Sequence, residues 1–236
     1  MKHAGNPMIV LDFGAQYSKL IARRVREAKV FSLILPYNTP LDEIRRHAPA
    51  GIIFSGGPAS VHADGAPVPD PGVFDLGVPI LGICYGVQLL AHMLGGKVEP
   101  SKKREYGIAH LDHADSTGFL DGIDERSQVW MSHGDAICAM PEGFEPIGKT
   151  ENCPYAVIVN RRSKCYGVQF HPEVVHTPQG TRIISNFVHK ICGCASTWDM
   201  GSFVDDAIAE IQATVGDKRV VCGLSGGVDS SVAAVL

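Results

Sequence analysis

Val78-Pro79-Ile80-Leu81-Gly82-Ile83-Cys84-Tyr85-Gly86-Val87-Gln88 is the stretch that decides how this chain is read. Val78 to Leu81 is strand-like, and the run from Val87 to Leu94 has helical character. A cysteine therefore stands at a sharp strand-to-helix joint, with one glycine two residues before it and another two residues after. That is the spacing of the nucleophile elbow, G-x-S-x-G, with sulfur in place of oxygen. The turn is strained and has to project one side chain, so bulk at the flanking positions would collide with it. The following helix aims its N-terminus at Cys84. Its dipole and free N–H groups favour a thiolate, the form that attacks carbonyl carbon. A buried structural cysteine is the competing reading of Cys84 taken alone.

Upstream of the elbow, apolar runs alternate with helical patterns. Strands are expected at Met8 to Leu11, Val30 to Leu35 and Gly51 to Phe54. Helices are expected at Ser18 to Glu27, with Leu20, Ile21 and Val25 on one face, and at Leu41 to His47. Continuously apolar strands that alternate with helices point to an α/β fold with a mostly parallel sheet flanked by helices. Downstream, strands are expected at Gly107 to Leu111, Gln128 to Ser132, Ala136 to Met140, Phe144 to Lys149, Ala156 to Asn160 and Lys164 to Phe170. They have no helices between them, which predicts a mixed or antiparallel extension. Arg182 to Ile191 reads as a closing helix.

Phe203 to Val215 is patterned as an amphipathic helix, with Phe203, Ala207, Ile208, Ile211 and Val215 on one face. After it, Arg219 to Leu224 reads as a strand. The loop Ser225-Gly226-Gly227-Val228-Asp229-Ser230-Ser231 then opens another helix. Such a loop offers backbone N–H groups and hydroxyls to a phosphate, although it lacks the Gly-Lys-Ser/Thr of a Walker A loop. One strand and one loop cannot bury a core, so a truncated second α/β domain is expected here. The division read from the sequence is 1–195 for the first domain, 196–218 for a linker and helix, and 219–236 for the start of the second.

Of the 236 residues, 45% are hydrophobic and 19% charged, which allows a substantial core and argues against disorder. The net charge of −4 comes with no basic block, against a nucleic-acid partner. The seven cysteines are scattered and odd in number, so a disulfide framework is a poor reading. Met1 to Pro7 is followed by nothing like a signal peptide, and no apolar run is long enough to cross a bilayer. A cytoplasmic protein without a membrane partner is expected. Cys192 with Cys194, and His110 with His113, lack the partners of a zinc site, and no metal is assigned.

Two other strand ends carry chemistry. Ser55-Gly56-Gly57-Pro58 follows the third strand, where a Gly-Gly can present backbone N–H groups to a ligand. The strand Cys165 to Phe170 runs into His171-Pro172-Glu173. A nucleophilic cysteine needs a base, and the base needs an orienting partner on its other ring nitrogen. Gly57, Cys84 and His171 at three separate strand ends together point to a catalytic site.

The elbow Gly82 to Gln88, taken with His171-Pro172-Glu173, resembles the class I, triad-type glutamine amidotransferases. The loop Ser225 to Ser231 resembles the pyrophosphate loop of ATP pyrophosphatases. The two modules in this order resemble the glutamine-hydrolysing GMP synthase family. Val10 to Tyr17, Arg104-Glu105-Tyr106-Gly107 and His171 to Thr177 are similar to that family as well.

The resemblance implies that Cys84 attacks the side-chain amide of glutamine, with His171 as base and Glu173 as its orienter. It implies an oxyanion hole from the N–H groups of Gly57 and Tyr85, and substrate contacts from Gln88, Ser132, His133, Gly134 and Asp135. No cofactor is implied for glutamine hydrolysis. For the full-length synthetase the resemblance implies ATP and Mg2+, with Ser225, Gly226, Gly227, Val228, Asp229, Ser230 and Ser231 on the pyrophosphate, xanthosine monophosphate as acceptor, and a homodimer. These 236 residues alone are not expected to make GMP. A γ-glutamyl peptide hydrolase or cysteine peptidase, a synthetase with another acceptor and a non-catalytic docking module stand as alternatives.

Overall fold

Strands whose every residue is apolar need cover on both faces, and here they receive it. In the computed structural model of the chain, residues 6–115 and 117–235 are described, and Met1 to Gly5 lie outside them. Strands β1 (Met8–Asp12), β2 (Ser32–Pro36), β3 (Gly51–Phe54) and β4 (Ile80–Ile83) alternate with helices α1 (Ser18–Glu27) and α2 (Leu41–Arg46). Helix α3 (Tyr85–Met93) leaves β4 through Cys84. Then follow β5 (Lys97–His113), β6 (Arg126–Ala139), β7 (Glu145–Lys149), β8 (Val157–Asn160) and β9 (Cys165–Val168). Helix α4 (Gly180–Asn186) runs into a wider π-helical turn over Phe187–Ile191. Helices α5 (Met200–Val215) and α6 (Val228–Val235) complete the chain.

The described strands form one nine-stranded sheet in the order β2-β1-β3-β4-β9-β8-β7-β5-β6. Pairing is parallel from β2 through β9 and antiparallel from β9 to β6. This is the expected parallel sheet with an antiparallel extension. The last strand in the sequence, β9, is inserted at the centre, with Ile83 in register with Val168. Its end therefore lies beside the elbow at the carboxyl edge of the parallel strands, where open α/β sheets bind ligands.

The period of two along each strand divides the interior into two layers. Met8, Val10, Ile53, Leu81 and Ile83 join Ile21 and Val25 of α1 and Ile183 and Ile184 of α4 on one face. Ile9, Leu11, Ile52, Phe54 and Ile80 join Val87, Leu89 and Leu90 of α3 on the other. Each such side chain contributes about 1.5–3 kcal/mol on burial.

Two expectations need correction. The short strands foreseen between Gly107 and Met140 are two long strands, β5 and β6, paired as a ribbon with register shifts between Lys97 and Val98 and between Pro100 and Glu105. Turn-like residues such as Pro100 interrupt the pattern without ending the ladder, because the partner strand keeps pairing beyond them. The strand expected at Arg219 to Leu224 is absent. Those residues are exposed and irregular, with Val221 96% accessible. A strand exists only against a partner edge, and no described strand pairs with these residues. No second sheet forms among the described residues; Ser225 to Gly227 lead into the exposed helix α6, whose first turn holds Val228 to Ser231. The side chain of Phe203, expected on the apolar face of α5, lies outside the described residues. Among the described residues no helix is long and apolar enough to cross a membrane.

The joint between β4 and α3 depends on close backbone approach. A Cβ on Gly82 would stand 2.6 Å from the carbonyl carbon and oxygen of Gly86 and from the nitrogen of Val87, and a Cβ on Gly86 would run into the backbone of Phe54. Backbone cannot yield as a flexible side chain can. Gly82→Ala should therefore lower unfolding free energy by about 1–3 kcal/mol, the usual range for overpacking. Denaturant titration would show a lower midpoint at unchanged slope, and an unchanged midpoint would contradict the packing argument.

Candidate active site

Cys84 occupies the left-handed region, with φ 53° and ψ −108°. For a residue with a Cβ this costs roughly 1–3 kcal/mol and persists only where the surroundings enforce it. They do so from both sides. The Cys84 N–H donates to the Val168 carbonyl at 2.9 Å, while the Cys84 carbonyl accepts from the N–H groups of Val87 at 3.2 Å and Gln88 at 3.3 Å. The thiol thus stands at the mouth of the joint, and its Sγ also lies 3.4 Å from the Ser132 carbonyl, to which it can donate.

His171 follows β9 by three residues and is fixed through its backbone. Its N–H donates to the Trp130 carbonyl at 3.0 Å. Thr177 Oγ1 donates to the His171 carbonyl at 2.7 Å and accepts from the Trp130 N–H at 3.0 Å. The turn beyond it is packed from below, since Gly180 lies so close to the Pro172 backbone that no side chain fits between them. Arg24 Nε donates to the Glu173 carbonyl at 2.9 Å.

His171 Nδ1 meets Glu173 Oε1 at 2.7 Å, and the imidazole also interacts with the Cys84 sulfur. A Cβ on Gly56 would sit 3.2 Å from His171 Cε1 and 3.7 Å from Cys84 Cβ, which shows how tightly the two side chains converge. Glu173 is fully buried, and its Oε2 has no partner among the described residues. Burial alone would push the His171 imidazolium toward losing its proton. The hydrogen bonds to Cys84 and Glu173, and the charge of Glu173, outweigh burial and raise the His171 pKa to about 10.

In front of the thiol is a pocket of about 380 Å³. It is lined by Gly57 and Tyr85 beside Cys84, by Gln88 from α3, and by Ser132, His133, Gly134 and Asp135 from β6. Gly57 has to be glycine, because a Cβ there would lie 2.8 Å from the Phe13 carbonyl oxygen. Gln88 Nε2 donates to the Asp135 carbonyl at 2.8 Å and to Gln169 Oε1 at 3.2 Å. Every residue named from sequence for glutamine hydrolysis thus belongs to one neighbourhood. Ser225 to Ser231 do not line this pocket. Their hydroxyls turn inward: Ser230 and Ser231 donate to the Gly227 carbonyl at 3.1 and 2.9 Å.

Several residues of the neighbourhood had no assigned role. Arg104 and Tyr106 line the pocket from β5. Thr177 braces His171, and Gln169 braces Gln88. Glu105, His133 and Cys153 bring three ligand-type atoms within 4.8 Å of one another, all buried. Both His133 nitrogens and both Glu105 oxygens already have hydrogen-bond partners there. Burial pushes the Cys153 thiol up to about 12, far from the thiolate a metal requires. In the sequence Glu105 stands outside any expected strand, within the family-like segment Arg104 to Gly107, and no periodicity could assign it a partner.

This sheet, with a buried Cys–His–Glu set at its carboxyl edge, defines a class. The chain belongs to the glutamine amidotransferase class-I family, which matches residues 9–191. Among its relatives, GMP synthase [glutamine-hydrolyzing] of Acetivibrio thermocellus is 57% identical over 97% of this chain, and that of Aquifex aeolicus 55% identical over 98%. The chain spans 45% of the length of each. A structure from Thermoplasma acidophilum, described as a GMP synthase component, superposes with a TM-score of 0.71 at 28% identity, covering 89% of this chain and all of that one. A glutamine amidotransferase of Thermotoga maritima shares the fold at TM-score 0.62 and 18% identity, over 80% of this chain and all of that one.

The raised His171 pKa has a signed consequence. A group that holds its proton more tightly when folded stabilises the fold fully below its unfolded pKa, and that stability is lost as pH rises through the folded value. With an ordinary value of 6.5 and a folded value of about 10, the window lies between these two. The gap in thermal stability between the parent chain and His171→Gln should narrow across that window in calorimetry. A constant gap would refute the shift.

Proposed function

We propose that this chain hydrolyses glutamine to glutamate and ammonia through Cys84, His171 and Glu173. The observation that carries the reading is the convergence of the strained Cys84 and the Glu173-bound His171 on one pocket, in a chain of the glutamine amidotransferase class-I family.

Glutamine binds with its side-chain amide over Cys84, held by Gln88 and the segment Ser132 to Asp135. The Cys84 proton already rests on His171, as the raised pKa of the imidazole requires, and the thiolate sulfur bonds to the amide carbon. The oxyanion that forms is met by the N–H groups of Gly57 and Tyr85; loss of one such donor typically costs ~10²–10³ in rate. His171 then gives its proton to the departing nitrogen. The C–N bond breaks, ammonia leaves, and a γ-glutamyl thioester remains. Water, deprotonated by His171, adds to that carbonyl, the C–S bond breaks, and glutamate is released with the thiol restored. Glu173 keeps Nδ1 protonated throughout and stabilises the imidazolium. No cofactor takes part in these steps.

The longer relatives extend the reading. In a full-length protein of their kind, residues 1–195 would be the ammonia source and 196–218 a linker, with 219–236 beginning an ATP pyrophosphatase domain. Ser225 to Ser231 would offer hydroxyls and N–H groups to the pyrophosphate of ATP, whose Mg2+ complex activates xanthosine monophosphate for amination to GMP. A cytoplasmic homodimer fits that assignment. In this reading the acceptor pocket would belong to the part of such a protein that these residues do not span.

Cys84→Ala should reduce glutamine hydrolysis by more than ~10³-fold, as loss of a nucleophile does, and should abolish covalent labelling by an electrophilic glutamine analogue. Labelling that survives the substitution would refute the role of Cys84. Supplied with ATP, Mg2+, xanthosine monophosphate and ammonia, the 236-residue chain should yield no GMP by chromatography. A clear GMP peak would overturn the division of labour.

A further inference from the structure

The wall of the pocket opposite α3 is held by a buried network that the chemistry above does not use. Along β5 the neighbours Arg104 and Tyr106 line the pocket, while Glu105 between them faces the interior and is 8% exposed. Its cross-strand partner is His133 of β6, 5% exposed. His133 Nδ1 stands 2.9 Å from the Asp135 carbonyl, which can only accept, so Nδ1 carries a proton and donates. His133 Nε2 stands 3.2 Å from Glu105 Oε2 and shares a proton with it. Thr150 Oγ1 donates to Glu105 Oε1 at 3.3 Å, and the Cys153 N–H donates to Thr150 Oγ1 at 3.1 Å.

These bonds fix the plane of the His133 ring, and the ring fixes the Asp135 carbonyl. That carbonyl is the acceptor for Gln88 Nε2 at 2.8 Å. At the other end of the same segment, the Ser132 carbonyl meets Cys84 Sγ. A path of hydrogen bonds therefore runs from Glu105 through His133 and Asp135 to Gln88. A buried carboxylate–imidazole pair is no better for stability than a well-packed apolar pair; what it supplies is direction, since each bond tolerates only a narrow geometry.

We infer that Glu105 is a positioning residue for the glutamine pocket: acting through His133, it sets the wall Ser132 to Asp135 against Gln88. The inference rests on the proposed glutamine hydrolysis and adds to it a residue that never touches the substrate. Because the side-chain path ends at Gln88 and meets Cys84 only through the Ser132 carbonyl at the far end of the segment, Glu105 acts on how tightly the substrate binds far more than on the bond-making step.

The test is covalent labelling of Cys84 in the 236-residue chain by a chloroketone analogue of glutamine. The concentration dependence separates the binding constant KI from the limiting rate kinact. Glu105→Gln should raise KI by ~10-fold, as expected for a lost charge-assisted hydrogen bond, and leave kinact within ~3-fold. His133→Gln should raise KI similarly, and the double variant should exceed the larger single effect by no more than ~2-fold, because the two residues act in series. An unchanged KI in Glu105→Gln, a fall in kinact alone, or fully additive KI effects would each overturn the inference. Should Glu105→Gln fail to fold, Thr150→Val cuts one bond to the same carboxylate. It should raise KI by ~3-fold at constant kinact, and a parent-like KI would again overturn the inference. A parent chain that is not labelled at Cys84 would refute the glutaminase reading and this inference with it; a labelled parent with a parent-like Glu105→Gln refutes the inference alone.

Discussion

The backbone of Cys84 is held in a conformation that a residue with a Cβ avoids, and the rest of the structure serves that constraint. At φ 53° the chain reverses from strand to helix within one residue. Only then do the thiol, the first turn of α3 and the end of β4 share one edge. The strain is met by packing: Gly82 and Gly86 bring the two backbones into contact, and Val168 accepts the Cys84 N–H. Bulk at either glycine would push the helix off the sheet and release the turn.

The sheet divides its work at β9. The parallel half, from β2 to β4, supplies the elbow and the Gly56–Gly57 turn. The antiparallel half supplies the opposite wall, through Ser132 to Asp135 on β6 and Arg104 and Tyr106 on β5. Strand β9 belongs to both halves, pairing in parallel with β4 and antiparallel with β8. His171 leaves from its end, so the imidazole stands where the two halves meet. The proposed chemistry needs this division, because a nucleophile and its base must approach an amide from different directions while a third surface holds the rest of the substrate.

Much of the first half was legible in the sequence. Helix Ser18–Glu27 and strand Gly51–Phe54 begin and end where their patterns predict. Both carry an unbroken local pattern: one apolar face along the helix, and an uninterrupted buried run along the strand. The β5–β6 ribbon was harder, because its register shifts break the alternation that identifies a strand, and only the facing strand carries the ladder across them. Arg219 to Leu224 failed in the opposite way. Their composition suits a strand, but β structure is a property of pairs, and no described strand pairs with them. In the site, Cys84 and His171 could be picked out because glycine spacing and a strand-end His-Pro-Glu are local signals. Thr177, Gln169 and Glu105 could not: Gln169 and Glu105 act through partners distant in sequence, and Thr177 braces the His171 turn while also holding the distant Trp130 N–H.

The sequence by itself determined the local conformations: apolar runs for buried strands, glycines where backbones touch, and a cysteine at the turn between strand and helix. It also determined the chemical types available there, a thiol, an imidazole and a carboxylate. Tertiary structure alone decided that β9 lies beside β4, that His171 faces Cys84, and that a buried Glu105 orients His133. The physical reason is that local pattern reports which surface a residue buries, but not what it is buried against. Hydrogen bonds and proton affinities depend on that partner, as the imidazole of His171 shows: burial would strip its proton, and Cys84 and Glu173 keep it in place.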